Sequence, residues 1–595
     1  MSTHALLSHF DRISDAPTAI PRFRQFILDL AVRGKLVDQD PNDEPASTLL
    51  KRIASEKQRL AEEGKIRYRQ SPRLARADEV TFRLKPGWRA ASISEILIDL
   101  QTGPFGSSLH QSDYEKGGIP VINPASIKNG RLVPIDAMRV GTVTLERLAA
   151  FKLRERDIVM GRRGEMGRCA VVTEKETGWL CGTGSLILRL PECVSPPFFV
   201  TLIGSPLVRE YLGGSAVGAT MQNLNQSILM GLVVGLPPFA EQHRIVTKVK
   251  ELMALCDQFE EARNEREAGR DRLASSCLHH LGNANADTLR EHASFYLSHL
   301  PSLTTRHEQI KQLRQTVLDL AVGGRLVRQD HRDDSASELL ARLQRALLVE
   351  RQNESSRIRK PLASSKRDVL NGIAFPFSWA IADFDSVSAI VSGVAKGKDL
   401  RSLKTALVPY LRVANVQRGY LDLSVIKEIE VPVDEVQRYQ LRRGDVLMTE
   451  GGDWDKLGRA AIWSEEIPGC IHQNHIYRIR SAIKDELLPS WIALFANSSL
   501  GRSYFEAASK QTTNLASINM TQLRSCPLPI PPTSEQRRVV ARVDELMALC
   551  DGLAAQLHDT QLKSRQLLEA VLDQALNGSG AKIDEHADHG QAIKA

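Results

Sequence analysis

Cysteine is scarce and scattered: eight occur in 595 residues, with no C-x-x-C pair. Neither a zinc ribbon nor a disulfide framework is indicated, and a reduced cytoplasm is the expected compartment. The sequence has no G-x-x-x-x-G-K-[ST] phosphate loop and no H-E-x-x-H pair, which removes those two routes to nucleotide and zinc chemistry. An Asn-Pro-Pro-Tyr or Asp-Pro-Pro-Tyr run of the amino-methyltransferase type is also missing. No apolar run approaches the ~20 residues that span a bilayer, and the opening MSTHALLSHFDRISD lacks the apolar core of a secretory signal. Charge of one sign is lacking too. Lys and Arg number 78 against 71 Asp and Glu, a net +7, which permits nucleic-acid binding without requiring it. The remainder, 42% apolar and 25% charged, has the texture of a globular protein at a length too great for one core.

A repeat organises the chain. Pro237 and Pro238 close an apolar run, and Glu241-Gln242 opens a long stretch without proline, read as a helix of roughly 60 Å. Ile245, Val249, Leu252, Cys256 and Phe259 step by four, three, four and three, the seam of a helix that packs against another long helix. The same text returns at Pro531-Pro532 and Glu535-Gln536, with Val539, Val543, Leu546, Cys550, Leu553 and Leu557 on the seam; fourteen of twenty-two positions match between 236–257 and 530–551. Upstream, RFRQFILDLAVRGKLV carries Phe23, Phe26, Ile27 and Leu30 at helical spacing and ends at Gly34 in the C′ position. It recurs as KQLRQTVLDLAVGGRLV, ended by Gly324. Two matches of this kind point to a duplicated unit of about 290 residues.

Each hairpin leads through a basic, proline-bearing linker to a tryptophan, Trp88 or Trp379, where the texture changes to short β segments and glycine-rich turns. Asp157-Ile158-Val159-Met160 matches Asp445-Val446-Leu447-Met448, and Gly167-Arg168 matches Gly458-Arg459, while most of the rest has diverged. The expected organisation is a tail over 1–20, a hairpin and basic linker over 21–86, a β-rich domain over 87–238 and a long helix over 239–290. A second hairpin and linker over 291–375, a second β-rich domain over 376–531, a long helix over 532–580 and a disordered tail over 581–595 complete it. The fold class is α+β: two mostly β domains separated by long, antiparallel, coiled-coil-like helices, duplicated with pseudo-twofold symmetry.

Taken in order, these marks resemble the specificity subunit of a type I restriction-modification system: the paired Pro-Pro…Glu-Gln helix starts, the paired Leu-Asp-Leu-Ala-Val hairpins, and two divergent β-rich domains that each open on a tryptophan. The likeness covers roughly residues 20 to 580. It implies two target-recognition domains held by antiparallel helices, each reading one half of a split site in double-stranded DNA. It also implies that methyl transfer and cleavage belong to partners, two copies of a methyltransferase (M) subunit and the restriction (R) translocase-nuclease subunits. No catalytic residue, metal or cofactor is then expected on this chain, with S-adenosylmethionine, ATP and Mg on the partners. Two readings of other classes stay open at this level: a DNA-modifying enzyme in its own right, for which no acid, base or metal constellation is found, and a duplicated scaffold that binds protein.

Base edges in the major groove are read by Arg or Lys on guanine and by Asn or Gln on adenine, mounted on turns. In the first β-rich domain Arg162, Arg163 and Arg168 fit that role, and Ser107, Ser108, Thr220, Gln222, Asn223 and Asn225 suit phosphates. In the second the candidates are Lys456 and Arg459, then Gln473, Asn474 and His475, the run Gln511, Thr512, Thr513 and Asn514, and the basic loop of Lys396, Lys398, Arg401 and Lys404. Arg168 and Arg459 are shared by two diverged domains, which suits a phosphate contact or a scaffold group better than a base reader.

Overall fold

The structure is a computed structural model that describes residues 13–66, 74–215, 224–284, 286–353, 370, 373–395, 397, 403–452, 456–511 and 516–577. It divides into two units, Met1–Glu265 with Gln561–Ala595, and Arg266–Thr560. Each contains a helical hairpin, a β-rich domain, the head of one long helix and the tail of the other.

In the first unit the hairpin helices are Ala19–Val32 and Ala46–Glu62. The first buries Ile20, Ile27, Ala31 and Val32, and stops where the spacing predicts. Gly34 there has a φ of 66°, and a Cβ on it would lie 3.0 Å from the Trp88 ring. Glycine is required both by the left-handed backbone and by the close approach. Gly324, with a φ of 70°, repeats the arrangement against Pro376 and Trp379. The aspartate of each Leu-Asp-Leu-Ala-Val segment reaches a helix of its β-rich domain: Asp29 accepts from Leu207 N at 3.4 Å, and Asp319 from Ser499 N at 2.7 Å. Both placements set a carboxylate at a helix N-terminus, the favourable end for an anion.

The first β-rich domain is closed at its neck by antiparallel strands Arg89–Ser92 and Val233–Leu236, so the chain leaves the domain beside the place where it began. A four-stranded sheet runs in the order Asp99–Thr102, Ser185–Arg189, Ile158–Gly161, Cys169–Val171. A three-stranded sheet of Arg139–Val140, Tyr114–Ile122 and Leu180–Cys181 lies beyond it. The second domain repeats both, with neck strands Ala380–Asp383 and Pro527–Ile530, and the order Ser388–Ser392, Ile476–Ser481, Val446–Thr449, Ala460–Ile462. Its other sheet comprises Lys427–Pro432, Thr405–Leu411 and Ile471–His472. The aspartate leading the matched strand is buried and pinned in both: Asp157 to Arg189 Nε at 3.2 Å, Asp445 to Arg480 at 2.6 and 2.7 Å.

The long helices are Phe239–Asn283 and Thr533–Asn577, 45 residues each. The first turns of the seam, Ile245 and Val249, share one buried core with Ile27, Ala31, Trp88, Leu186 and Phe198. Along the hairpin helix Ala19–Val32, Arg24 bonds Asp257 and Glu260, and Arg263 reaches Ala16 O at 3.0 Å, so the head of the first long helix runs antiparallel to it. The tail of the second runs parallel to the same helix, with Arg22 on Glu569 and Lys35 on Leu576 O. Head and tail therefore run in opposite directions within the unit. In the second unit Arg306 and Gln309 meet Asp271, Gln312 meets Ser275, and Arg314 meets Asp551. Residues before the first hairpin are also engaged: Ile13 and Ala16, with Ala19 of the hairpin helix, are buried in one cluster with Leu568, Val571 and Leu572. The first long helix ends at Asn283, and a separate helix, Ala286–Ser298, follows.

Three polar residues at each long-helix start lock these parts together. Fully buried Glu241 accepts from Trp88 Nε1 at 3.0 Å and from Gln39 Nε2 at 3.3 Å. Gln242 accepts from Ser195 N at 3.0 Å and donates to Pro237 O at 3.1 Å, while Arg244 grips Asp43 with both terminal nitrogens. In the second unit Glu535 accepts from Gln329 at 2.6 Å, Gln536 accepts from Leu488 N at 2.9 Å and donates to Pro531 O at 2.9 Å, and Arg538 grips Asp333.

Trp88 is 2% exposed, so W88A should cost about 3–5 kcal/mol in urea unfolding; W88F keeps most of the volume but not the donor, and should cost less. Burial pushes the carboxyls of Glu241 and Glu535 above their ordinary value of 4.5. The folded protein thus holds those protons more tightly than the unfolded chain, and stability from this source falls as pH rises from 4.5 through the raised values. The E241Q/E535Q protein should gain in melting temperature relative to its parent as pH rises over that range; a pH-independent difference would contradict the assignment.

Candidate nucleic-acid interface

In each β-rich domain, segments distant in sequence converge on one edge. In the first, Gly103 at the exit of strand Asp99–Thr102 donates to Ser185 O at 2.9 Å and lies too close to Gly182 O for a Cβ. Arg162 N donates to Gly184 O at 2.8 Å, and Leu224 N to Arg162 O at 3.0 Å. In the second, Val394 N donates to His472 O at 2.8 Å and Asn474 N to Val394 O at 2.9 Å, with Gly393 as close to His472 O as Gly103 is to Gly182 O. Glu450 N donates to His475 O at 2.9 Å, and Ile518 N to Glu450 O at 3.0 Å. The turn after the aspartate-led strand, the turn before the central strand and the segment near the neck are thereby one surface, built by main-chain bonds.

Arg162, Arg163 and Asn225 come together there, as do Gln473, Asn474 and His475. Arg162 is half-buried, its Nε donating to Leu224 O at 3.2 Å, and Arg163 is exposed. Asn225 caps the helix Gln226–Gly231 by accepting from Ser227 N at 2.7 Å, a structural duty. Arg168 is tied to Pro124 O at 3.3 Å and to Glu165 at 3.0 Å, and Arg459 to Gln417 at 2.8 Å. The Arg168 guanidinium holds the Glu165 carboxyl below its ordinary range. Ser107 is exposed and Ser108 half-buried, on the loop after Gly103. Lys404 is exposed and Lys456 half-buried. Thr220, Gln222, Asn223, Lys396, Lys398, Arg401, Thr512, Thr513 and Asn514 lie outside the described residues, as does the side chain of Gln511. Most of both basic linkers and the tail over 581–595 lie outside them too.

One group at this edge escaped the sequence reading. Glu450 accepts from or pairs with His475 Nδ1 at 2.6 Å, at the position that Arg162 holds in the first domain. Pairing the matched strands residue by residue would have exposed it, since both follow the aspartate-led strand by the same count. His472 next to this turn is fully buried, and burial lowers its imidazole to about 4, which makes it a neutral core group. Among the described residues no cluster of three or more His, Cys, Asp or Glu could hold a metal, and no helix is long and apolar enough to cross a membrane.

The family described as the type I restriction modification DNA specificity domain matches residues 87–266 and, a second time, 387–560. The chain belongs to that family. The first block takes in a whole β-rich domain and the head of a long helix, the second begins just after the neck strand Ala380–Asp383, and they end where the two units divide, at Glu265/Arg266 and Thr560/Gln561. The chain is 28% identical over 593 residues to the type I restriction enzyme EcoEI specificity subunit of Escherichia coli, covering 94% of each protein. It is 27% identical over 578 residues to the EcoAI specificity subunit of the same organism, again covering 94% of each. A solved chain from a study of assembly and conformational transition in the type I R-M system aligns over 84% of this chain and 99% of its own length, at 17% identity and a TM-score of 0.48.

In both β-rich domains the arginine after the matched glycine is tethered within the domain, Arg168 to Pro124 O and Glu165 and Arg459 to Gln417. R168A and R459A should leave the sequence that the complex methylates unchanged while costing about 1 kcal/mol in stability. Methylome mapping with thermal melting checks this, and a changed target in either variant would contradict it.

Proposed function

We propose that this chain is the sequence-reading subunit of a type I restriction-modification complex, bringing methyltransferase and restriction subunits to an asymmetric, bipartite site in double-stranded DNA. The observation that carries the reading is the contrast within each repeat. The long-helix starts share fourteen of twenty-two residues and the Leu-Asp-Leu-Ala-Val segment recurs whole, while the edge formed by the turns around Arg162 and Glu450 keeps its main-chain bonds and changes its side chains. A constant frame with two different polar edges suits two unlike half-sites, the hydrogen-bonding groups falling on base edges and the basic groups on phosphates. Two domains that enter one face of a duplex need half-site centres about one helical turn apart, ~34–36 Å or ~10–10.5 base pairs.

Catalysis in this proposal belongs to the partners. Two methyltransferase subunits dock because the duplicated frame offers the same surface twice; they carry S-adenosylmethionine, and the restriction subunits carry ATP and Mg. The complex works in the cytoplasm, where its DNA is.

Co-expression with its methyltransferase subunit in a methylation-free host, followed by base-resolution methylome mapping, tests the proposal. The expected result is a split motif with unlike halves, and no methyl transfer by the highly purified chain alone. A continuous or palindromic motif, or transfer from S-adenosylmethionine by the lone chain, would overturn it.

A further inference from the structure

Positions 162 and 450 are one structural position. Each follows an aspartate-led strand, donates its N–H to the turn before the central strand (Gly184 O or His475 O), and accepts from the segment near the neck (Leu224 N or Ile518 N), all within 2.8–3.0 Å. The strand registers agree: Met160 faces Leu186 in the first domain, and Met448 faces Tyr477 in the second. Gly184 and His475 are therefore a second shared position. The side chains at this pair of positions are opposite in charge, Arg162 beside a glycine in one domain and Glu450 beside His475 in the other.

Both sets are held in orientation and open to solvent. Arg162 is anchored through Nε to Leu224 O at 3.2 Å, which fixes the plane of its guanidinium and the direction of its fork. Glu450 is anchored through Oε2 to His475 Nδ1 at 2.6 Å, with side-chain exposures of 27% for Glu450 and 54% for His475. A fixed guanidinium fork matches the adjacent acceptors N7 and O6 of guanine. A carboxylate offers acceptors alone when ionised, so it takes an exocyclic amine, N4 of cytosine or N6 of adenine, and repels guanine O6.

We propose that this shared position determines specificity in both half-sites, Arg162 selecting guanine in one and Glu450, oriented by His475, selecting an exocyclic amine in the other. The inference rests on the β-rich domains reading DNA. Main-chain bonds carry the fold at this position, so the side chain varies without disturbing the turn.

The test uses the complex with its methyltransferase subunits, methylating the genome of a methylation-free host, for the parent, R162Q, E450Q, and the E450R/H475G protein that installs the first domain's pair in the second. The parent motif should contain guanine in the half read by the first domain and cytosine or adenine at the Glu450 position, the observed base settling which amine is read. E450Q should relax that one position, with discrimination falling on the order of ten- to a hundredfold, and R162Q should relax one position of the other half. E450R/H475G, when active, should shift the Glu450 position to guanine and leave the other half and the spacing unchanged. Parental motifs from active Gln variants would overturn the proposal. So would an E450Q complex that assembles and melts as the parent does yet methylates nothing, because loss of one base contact relaxes a reading and does not silence an enzyme. A parent with no split motif would instead overturn the function proposed for the chain.

Discussion

A buried carboxylate, an amide and a guanidinium in the first two turns of each long helix hold three separate parts of the chain at once. Glu241 ties the helix to Trp88, 153 residues away, and Arg244 ties it to Asp43, 201 residues away, while Gln242 fastens it to the β-rich domain through Ser195. A buried ionisable group is tolerated only when its partners are in place. The cluster is therefore all-or-none: the hairpin loop, the domain neck and the helix start dock together, or a carboxylate and an amide are left buried without partners. That condition accounts for the recurrence of Glu-Gln-x-Arg at both long-helix starts better than the apolar seam does, because seam positions accept any residue of similar volume, whereas Glu, Gln and Arg here each meet a fixed geometry.

The cluster also explains how a β-rich domain sits between a hairpin and a helix without loosening either. Antiparallel neck strands bring the two ends of the domain together, and the tryptophan at the first end donates to the glutamate just beyond the second. Chain connectivity and the hydrogen bond then act on the same point, so the domain is fixed at its base and free to change at its far edges. Asp29 and Asp319, each accepting from a backbone N–H at the start of a domain helix, add a second tie from the hairpin side.

Much of this was legible in the sequence, for identifiable reasons. The duplication, the hairpins ending at Gly34 and Gly324, and the long helices announce themselves through spacing, which is local. The role of Glu241-Gln242 did not, because its partners are remote in sequence and nothing near residue 241 names Trp88 or Asp43. At the candidate interface, the polar turns stood out since glycines, arginines and amides cluster there. Arg168 and Arg459 kept a double meaning in the sequence; the structure ties both side chains, to Pro124 O and Glu165 and to Gln417. Glu450 went unnoticed because a search for DNA contacts looks for cations and amides, and a carboxylate in a loop that also carries Asp453 and Asp455 reads as solvent-facing.

The two edges show why such domains can diverge without unfolding. At position 162 or 450, N–H and C=O are both committed, and to main-chain partners, so the main-chain bonds of the turn are the same whichever side chain is mounted there, and the bonds of Arg162 to Leu224 O or of Glu450 to His475 are added to them. Arginine and glutamate are interchangeable for the fold at this position, although they present opposite hydrogen-bonding character to anything that approaches. The reverse holds for Asp157 and Asp445, buried and pinned by Arg189 and Arg480, where the side chain is the structural contact and the residue type is retained in both copies. A surface that must change its ligand while its scaffold stays constant is best built where the backbone satisfies itself. In this chain that division falls within five residues of one strand: the aspartate that opens it is fixed by its side chain, and the residue that leaves it is fixed by its backbone.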